Sequence, residues 1–491
     1  MDPINLVRHQ SQSAIDTTRL SNDLSALVNM LPLEVLSNIF ETVVVSEFNF
    51  FAVIEYEGRD NLKNQLNPPA QLVILALVCS RWHRVVINTP VLWSYVNLIV
   101  PGFHRQPFYS HALRHSSSAP MFLKIHQTMP SKPHQNHHLT TWLAAVAKRI
   151  YSLEICEGSA TRELTNVVLS CWFQHGVPGT VKDLSLVCPR SDYRKYIQSS
   201  RSAPQPWRVN LSPAQLDAFL QPIFLLSLDG IFARWDSQAY QGLTNLQLRE
   251  GSIKEEDLMN ILTHNPQLCS FTFDLDIKAK RLRRSPPTPV RLPSLEVLNL
   301  DAMDNTCLWS RLRLLAPGLA PLRMVLAISD VEHLTDFAGT LEAQAFFQRS
   351  NVTTCYLSAY SKLPKEAWFH NILYRLPDLR RLCLRSLSYS GGDSLTQSGE
   401  IRVCSQLDEL MIIDCKLCLD DFKDILRVHH IQTLRLWNCT AYRRGDEQVD
   451  VETESLEEEL SGLVADTKCY EQDDYRIGSD PHMRWRYVDQ M

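Results

Sequence analysis

No stretch of this 491-residue chain stays apolar for long. The longest run, Leu72 to Cys79, is eight residues. A membrane-spanning helix needs about 20, so no membrane association is expected. The opening residues MDPINLVRHQ lack the apolar centre of a signal peptide. Glycine is scarce, at 16, and none builds the G-x-x-x-x-G-K loop that cradles phosphate. G-x-S-x-G and H-E-x-x-H are missing as well, which removes the nucleophile elbow and the paired-histidine zinc helix. The expectation is a protein that is no enzyme, has no catalytic residues and holds no cofactor. Positive charge is not in excess: 49 Lys and Arg stand against 54 Asp and Glu, a net charge of −5. No global basic field invites nucleic acid. The 13 cysteines are odd in number and scattered singly among apolar residues. That suits buried thiols in a reducing compartment better than a disulfide framework, so the cytoplasm, the nucleus or both are the expected location.

What is present begins with LPLEVLSNIFETVV at residue 31. Pro32 suits a first helical turn, where its missing N–H would be unpaired anyway, and Glu34 meets the positive end of the helix dipole. Leu31, Val35, Leu36, Ile39, Phe40, Val43 and Val44 then recur at helical spacing on one broad face. A second helix is expected after Pro68-Pro69, carrying the run Leu72 to Cys79 and ending in Arg81, His83 and Arg84. Thr89-Pro90 stops it and opens a short third helix with Leu92 and Trp93 pointing inward. Such a unit has more apolar surface than it can hide alone, and small domains are marginal in stability. An exposed apolar patch usually marks a partner site.

Leu31-Pro32-x-Glu34-Val35-Leu36-x-x-Ile39-Phe40, then Val78-Cys79-x-Arg81-Trp82, then Pro90-x-Leu92-Trp93, resembles the F-box motif. The context is most similar to the F-box-like proteins abundant in mushroom-forming fungi. One departure is the connector from Ser46 to Asn67, longer than that of a typical F-box. The resemblance implies docking on the Skp linker subunit and, through it, on a cullin–RING ubiquitin ligase. The residues expected to dock are Leu31, Pro32, Val35, Leu36, Ile39, Phe40, Leu75, Val78, Trp82, Leu92 and Trp93. Some of these must form the internal core instead, and the pattern does not sort them.

Past Leu98 the sequence repeats. L-x-x-L-x-L or a close variant begins at Leu243, Leu268, Leu295, Leu322, Val352, Leu379, Leu407 and Ile431, at intervals of 25, 27, 27, 30, 27, 28 and 24 residues. Leucine-rich repeats run about 20–29 residues. Weaker copies begin at Ile150, Val181 and Ile223, and residues 121–125 suggest a capping strand. Helices are expected at 254–263, 341–348, 365–376 and 419–428, and a surface insertion between Pro189 and Pro206. Strand then helix, repeated, is the unit of a solenoid in which neighbours bury each other's apolar faces. Strand side chains alternate between faces, so the residue between the last two leucines points outward: Gln247, Thr272, Asn299, Leu326, Tyr356, Cys383, Met411 and Arg435. These residues form no catalytic constellation; Gln247, Thr272, Asn299, Tyr356, Met411 and Arg435 are taken as the wall that binds a target protein.

Three clusters have competing readings. Cys415-x-x-Cys418, with Cys404 and Cys439 nearby, has zinc-like spacing, but Cys415 and Cys439 each lie three residues after a repeat's last apolar position, where a leucine-rich repeat turns Asn or Cys inward; no metal is expected. His134, His137 and His138 read as a solvated polar loop. Lys278, Lys280, Arg281, Arg283 and Arg284, followed by Ser285-Pro286 and Thr288-Pro289, read as a charged loop, with nuclear localisation and phosphorylation as the functional alternatives. The segment from Asp446 to Asp474 holds twelve acidic residues and one basic residue and is expected to be disordered or loosely helical. The aromatic and basic MRWRY at 483–487 could fold back on that tail or on the repeats.

The expected architecture is therefore α/β: a leader at 1–28, a three-helix F-box-like domain at 29–98, an irregular leucine-rich-repeat solenoid at 99–440, curved and built of strand–helix units, and an acidic tail at 441–491. The expected function is a substrate-recruiting adaptor of a Skp–cullin–F-box ubiquitin ligase. The alternative is a repeat scaffold that keeps an F-box-like cap without joining a ligase.

Overall fold

A computed structural model describes residues 30–54, 70–100, 107–127, 133–158, 164–188, 195–197, 211–278, 288–302, 305–328, 341–359, 376–386, 388–389, 407–443, 446–451, 453–464 and 466–470. The leader at 1–28, the basic run beyond Lys278, the helix expected at 365–376 up to its last residue, Cys404 and the MRWRY stretch lie outside the described residues. The chain divides into two compact units, 1–153 with 174–176 and 154–173 with 177–491. No helix among the described residues is long and apolar enough to cross a membrane.

The first unit opens with α1 (Leu33–Ile54), α2 (Ala70–Val78), α3 (Ser80–Asn88) and a 3-10 turn at Pro90–Trp93. Two expectations are corrected here. The first helix does not end near Ser46 but runs on to Ile54. The expected second helix is two helices: Cys79 is fully extended (φ −160°, ψ 167°), and its Sγ accepts the N–H of Trp82 at 3.5 Å, capping α3. Strand β1 (Tyr95–Val100) follows, then α4 (Pro107–His115), β2 (Met121–Gln127) and α5 (Pro133–Val146). β1 and β2 pair in parallel, from Tyr95 opposite Phe122 to Val100 opposite Gln127. His134, His137 and His138 lie on α5 rather than in a loop; Pro133 at its start needs no N–H partner.

Among the described residues fourteen strands form one large sheet, and they succeed one another across it in chain order. After β1 and β2 come β3 (Ile150–Glu157), β4 (Asp183–Val187), β5 (Leu225–Asp229), β6 (Asn245–Lys254), β7 (Ser270–Lys278), β8 (Val297–Ala302), β9 (Pro321–Ile328), β10 (Asn351–Ala359), β11 (Arg381–Arg385), β12 (Leu407–Ile413), β13 (Ile431–Trp437) and β14 (Asp466–Tyr470). Parallel neighbours need a crossover, commonly helical. Here α6 (Leu164–His175), α7 (Pro213–Leu220), α8 (Glu255–Thr263), α9 (Asn305–Leu312), α10 (Leu341–Gln348), α11 (Leu419–Val428) and α12 (Thr453–Ser461) supply it between several strand pairs. The insertion expected between Pro189 and Pro206 contributes a two-residue strand, Lys195–Tyr196, parallel to Ile231–Phe232.

Within the second unit the leucines align in rows. Leu226, Leu246, Phe271, Leu298, Met324, Cys355, Leu382, Leu410 and Leu434 are successive partners across the sheet. So are Leu228, Leu248, Phe273, Leu300, Leu326, Leu357, Leu384, Ile412 and Leu436. All eighteen of these side chains are buried. One register expectation is overturned. Met324 and Leu326, not Val325 and Ala327, pair with Leu298 and Leu300 of β8, and β10 fits the extra residue Thr353 opposite the step from Leu322 to Arg323, so Val325, not Leu326, falls on the other face.

Five of the strands share one device. Two residues past the last row, Gly230, Glu250, Ser386, Asp414 and Asn438 take left-handed conformations, with φ of 71°, 55°, 56°, 53° and 49°. The N–H of Gly230 donates to Arg249 O (3.1 Å), that of Ser386 to Ile413 O, that of Asp414 to Trp437 O and that of Asn438 to Tyr470 O (2.9 Å each). At these four positions the turn hands a spare donor to the next strand. At Gly230 any Cβ would meet Cys188 O at 2.4 Å, so glycine is required there by approach as well as by φ.

The acidic segment is corrected too. Its described residues up to Tyr470 form regular elements: Asp446–Val451 pairs antiparallel with Thr440–Arg443, α12 follows, and β14 pairs beside β13.

Candidate functional site

The helices at the front of the first unit sort their apolar residues into two sets. Leu36, Phe40, Val44, Leu72, Val85, Val86, Leu92 and Trp93 are buried and make the internal core. Trp82 packs its ring on Phe40, centroids 4.8 Å apart. Trp93 donates its indole N–H to Val86 O at 2.7 Å, so a buried aromatic keeps its polar group satisfied. Arg81 donates to Leu31 O, tying the start of α1 to α3, and Thr89 Oγ1 donates to Val85 O at 2.7 Å.

The second set faces water. Met30, Leu33, Val35, Ile39, Val73, Ile74, Leu77 and Val78 are exposed, Leu77 at 78 % and Ile74 at 54 %. Of the residues expected to dock, Pro32, Val35, Ile39 and Val78 are exposed, Leu31, Leu75 and Trp82 are half-buried, and Leu36, Phe40, Leu92 and Trp93 are core. Sequence reasoning missed Leu33, Val73, Ile74 and Leu77. The available signal was the unbroken run on α2: a helix apolar all round has to be covered on every side, and here only Leu72 of its described residues is fully buried.

The far half of α1 is fixed to the strands of its own unit. Tyr95 OH donates to Glu41 Oε1 at 3.4 Å. Burial, reinforced by the Glu41 charge and this hydrogen bond, pushes the Tyr95 phenol up to about 12. Phe48 meets Tyr95 edge-on at 5.5 Å and carries Lys124 Nζ over its ring at 4.5 Å. The exposed apolar surface therefore sits on a helix held by β1 and β2 rather than on a free leash.

The face of the sheet opposite the leucine rows carries the expected target wall. Ser227, Gln247, Thr272, Asn299, Val325, Tyr356, Cys383, Met411, Arg435 and Lys468 are successive partners along it. Gln247 and Arg435 are half-buried, whereas Thr272, Asn299, Tyr356 and Met411 are buried. Arg435 pairs with Asp466 at 2.6 Å; this hydrogen bond holds Asp466 below the usual carboxylate range. Asp229, on the same face, is held up at about 7 by burial and by Glu250, against the pull of Arg249.

The cysteines behave as structural thiols. Cys415 Sγ donates to Ile413 O at 3.1 Å and Cys439 Sγ to Trp437 O at 3.3 Å. Burial, with Cys415 beside it, pushes the Cys439 thiol well up. No group of His, Cys, Asp and Glu able to hold a metal ion occurs among the described residues.

No curated protein matches this chain. Residues 28–99 match the F-box-like family, which embraces α1, α2, α3 and nearly all of β1, so the surface just described belongs to an F-box-like domain.

Proposed function

We propose that this chain is a substrate-recruiting adaptor of a Skp–cullin–F-box ubiquitin ligase, acting in the cytoplasm, the nucleus or both and performing no bond chemistry itself. At the level of the family, an F-box-like domain points to substrate recognition for a ubiquitin ligase. The observation that carries the reading further is the split of apolar residues on α1 and α2. The core is complete with Leu36, Phe40, Leu92 and Trp93, yet Val35, Ile39, Ile74, Leu77 and Val78 are left in water. Exposed apolar residues in this number are stabilised by a partner, and the Skp linker is the partner the motif implies. The second unit is read as a leucine-rich-repeat solenoid that binds the target. The in-order parallel strands, the leucine rows and the recurring left-handed turns support that reading. The adaptor's contribution is then proximity, which raises the effective concentration of target lysines at the ligase.

The test is co-purification of the full-length chain with the Skp linker subunit. Leu77→Glu and Ile39→Glu lie outside the core and leave folding intact. Each is expected to weaken the complex at least tenfold, about 1.4 kcal/mol. Full-strength binding by both folded variants would overturn the adaptor reading and leave a repeat scaffold with an F-box-like cap.

A further inference from the structure

The docking surface draws on two helices at once. Val35 and Ile39 stand on α1, and Ile74, Leu77 and Val78 on α2. Helices held in place before the partner arrives bind better, because ordering them on contact costs affinity. α1 runs for 22 residues, about 33 Å. Its fully buried side chains among the described residues are Leu36, Phe40 and Val44, four residues apart on one face. Phe48 continues that series by one more turn and is only half-buried. Its described ring contacts are with the strands, edge-on to Tyr95 of β1 and over Lys124 Nζ of β2.

The strands offer this ring a specific seat. Tyr95 and Phe122 are partners across β1 and β2, and their rings stack with centroids 4.6 Å apart. Two residues further on, and so on the same face, Asn97 pairs with Lys124. Lys124 is only 6 % exposed. A charge so dry costs free energy unless it is partnered, and an aromatic face over it supplies part of the compensation. An apolar residue would tolerate a sliding contact there, whereas the ammonium favours one placement of Phe48. Phe122 and Lys124 lie past residue 99, where the F-box-like match ends. We infer that Phe48, Tyr95 and Lys124 are positioning residues for docking. They act through α1, holding it in the placement the partner needs, so the working docking module reaches beyond the family segment into β2. The inference rests on the adaptor reading and assigns a role to residues that reading leaves unused.

The test is the kinetics with which full-length variants bind immobilised Skp linker subunit, read by surface plasmon resonance. Phe48→Leu keeps an apolar side chain and removes the ring. Tyr95→Phe keeps the stack on Phe122 and removes only the bond to Glu41. A chain whose α1 is in place for part of the time binds through that fraction alone. The association rate is therefore expected to fall at least threefold in Phe48→Leu and by less in Tyr95→Phe, with dissociation unchanged. Loss of a direct contact acts mainly on dissociation, which is the behaviour expected of Ile39→Ala. Phe48→Tyr, which keeps a ring over Lys124, should restore the native association rate. In the free chain, amide exchange across residues 41–48 should quicken at least fivefold in Phe48→Leu, with exchange on α3 unchanged. Exchange quickened equally on α3 would mean that the whole unit has loosened, and it overturns the inference. Unchanged association in Phe48→Leu, or a change confined to dissociation, overturns it while leaving the adaptor reading intact. No binding by the native chain overturns both.

Discussion

Trp82 rests its indole on the ring of Phe40 at 4.8 Å, while Ile39, one residue earlier on the same helix, is 44 % exposed. The two adjacent positions therefore differ sharply in burial, and under the proposed function one serves folding and the other a partner. Phe40→Ala removes a buried aromatic and is expected to cost about 3–5 kcal/mol. Ile39→Ala is expected to change stability by less than about 0.5 kcal/mol while weakening capture of the Skp linker. Urea unfolding of the full-length chain separates them. Equal destabilisation by both would show that the sorting of this helix into core and docking faces is wrong.

Asp229 makes a pH prediction. Its Oδ1 has no hydrogen-bond partner among the described residues, and burial, with Glu250 and Asp274 against Arg249, lifts the carboxyl from 3.8 to about 7. The folded state thus keeps a proton that the unfolded chain releases between about pH 4 and 7. Where the folded state binds more protons, stability falls as pH rises, so this group's cost appears across that window and is complete above about pH 7. At about 1.4 kcal/mol per pH unit the ceiling is about 4 kcal/mol. Asp229→Asn keeps the shape without the charge. It is expected to match the native chain at pH 4 and to exceed it by roughly 1–4 kcal/mol at pH 8. Denaturant titrations at the two pH values check this, and a variant no more stable at pH 8 would contradict it.

The repeat spacing was legible because two constraints reinforce each other. Leucine rows must align across a parallel sheet, and each strand's alternation must keep them on one side, so Leu246, Leu298, Leu382, Leu410 and Leu434 could be placed from periodicity alone. Periodicity fails where a repeat is one residue short: Leu322 and Val325 satisfy the pattern, yet Met324 and Leu326 are the partners of Leu298 and Leu300, and β10 skips Thr353 in pairing with β9. The apolar run 72–79 announced helix but concealed the break at Cys79, because no proline or glycine marks it. Charge misled at 446–470. Glu457 and Glu459 on α12 find partners in the Cys469 N–H and in Lys423 and Arg443, compensations that only the three-dimensional arrangement reveals. Docking and core residues were inseparable in sequence because both are apolar at helical spacing; only burial divides Leu36 from Val35.

Asn438 tests the recurring turn. Its φ of 49° is left-handed, its N–H feeds Tyr470 O, and its Nδ2 donates to Asp414 Oδ1 at 2.8 Å. Asparagine tolerates this conformation, while a β-branched residue meets its own carbonyl. Asn438→Val is expected to lose about 1–3 kcal/mol from strain and the broken side-chain bond. Asn438→Gly should lose less than the valine variant, because glycine relieves the strain and forfeits only the bond. Thermal unfolding of the two variants gives the order, and a valine variant as stable as the glycine one would remove the turn's conformational demand.

Among the described residues the sheet ends at β14, and an edge strand presents unpaired donors that invite another chain. Glu457 answers this from α12, its Oε2 accepting the Cys469 N–H at 3.0 Å. Burial and the same Glu457 charge push the Cys469 thiol up to about 12, so the thiol stays neutral while the amide beside it is held. Glu457→Ala leaves that N–H without its carboxylate, and a lost charged hydrogen bond at a half-buried site costs about 1–3 kcal/mol. Because β14 pairs only with β13 among the described strands, the loss should be local. Amide exchange at Cys469 and its neighbours on β14 is expected to quicken at least fivefold, with exchange on β8 unchanged and with a rise in concentration-dependent association. Glu457→Gln, which keeps an acceptor oxygen, should restore most of the protection. Exchange that accelerates equally on β8 and β14 would mean that Glu457 supports the whole unit rather than closing its last edge.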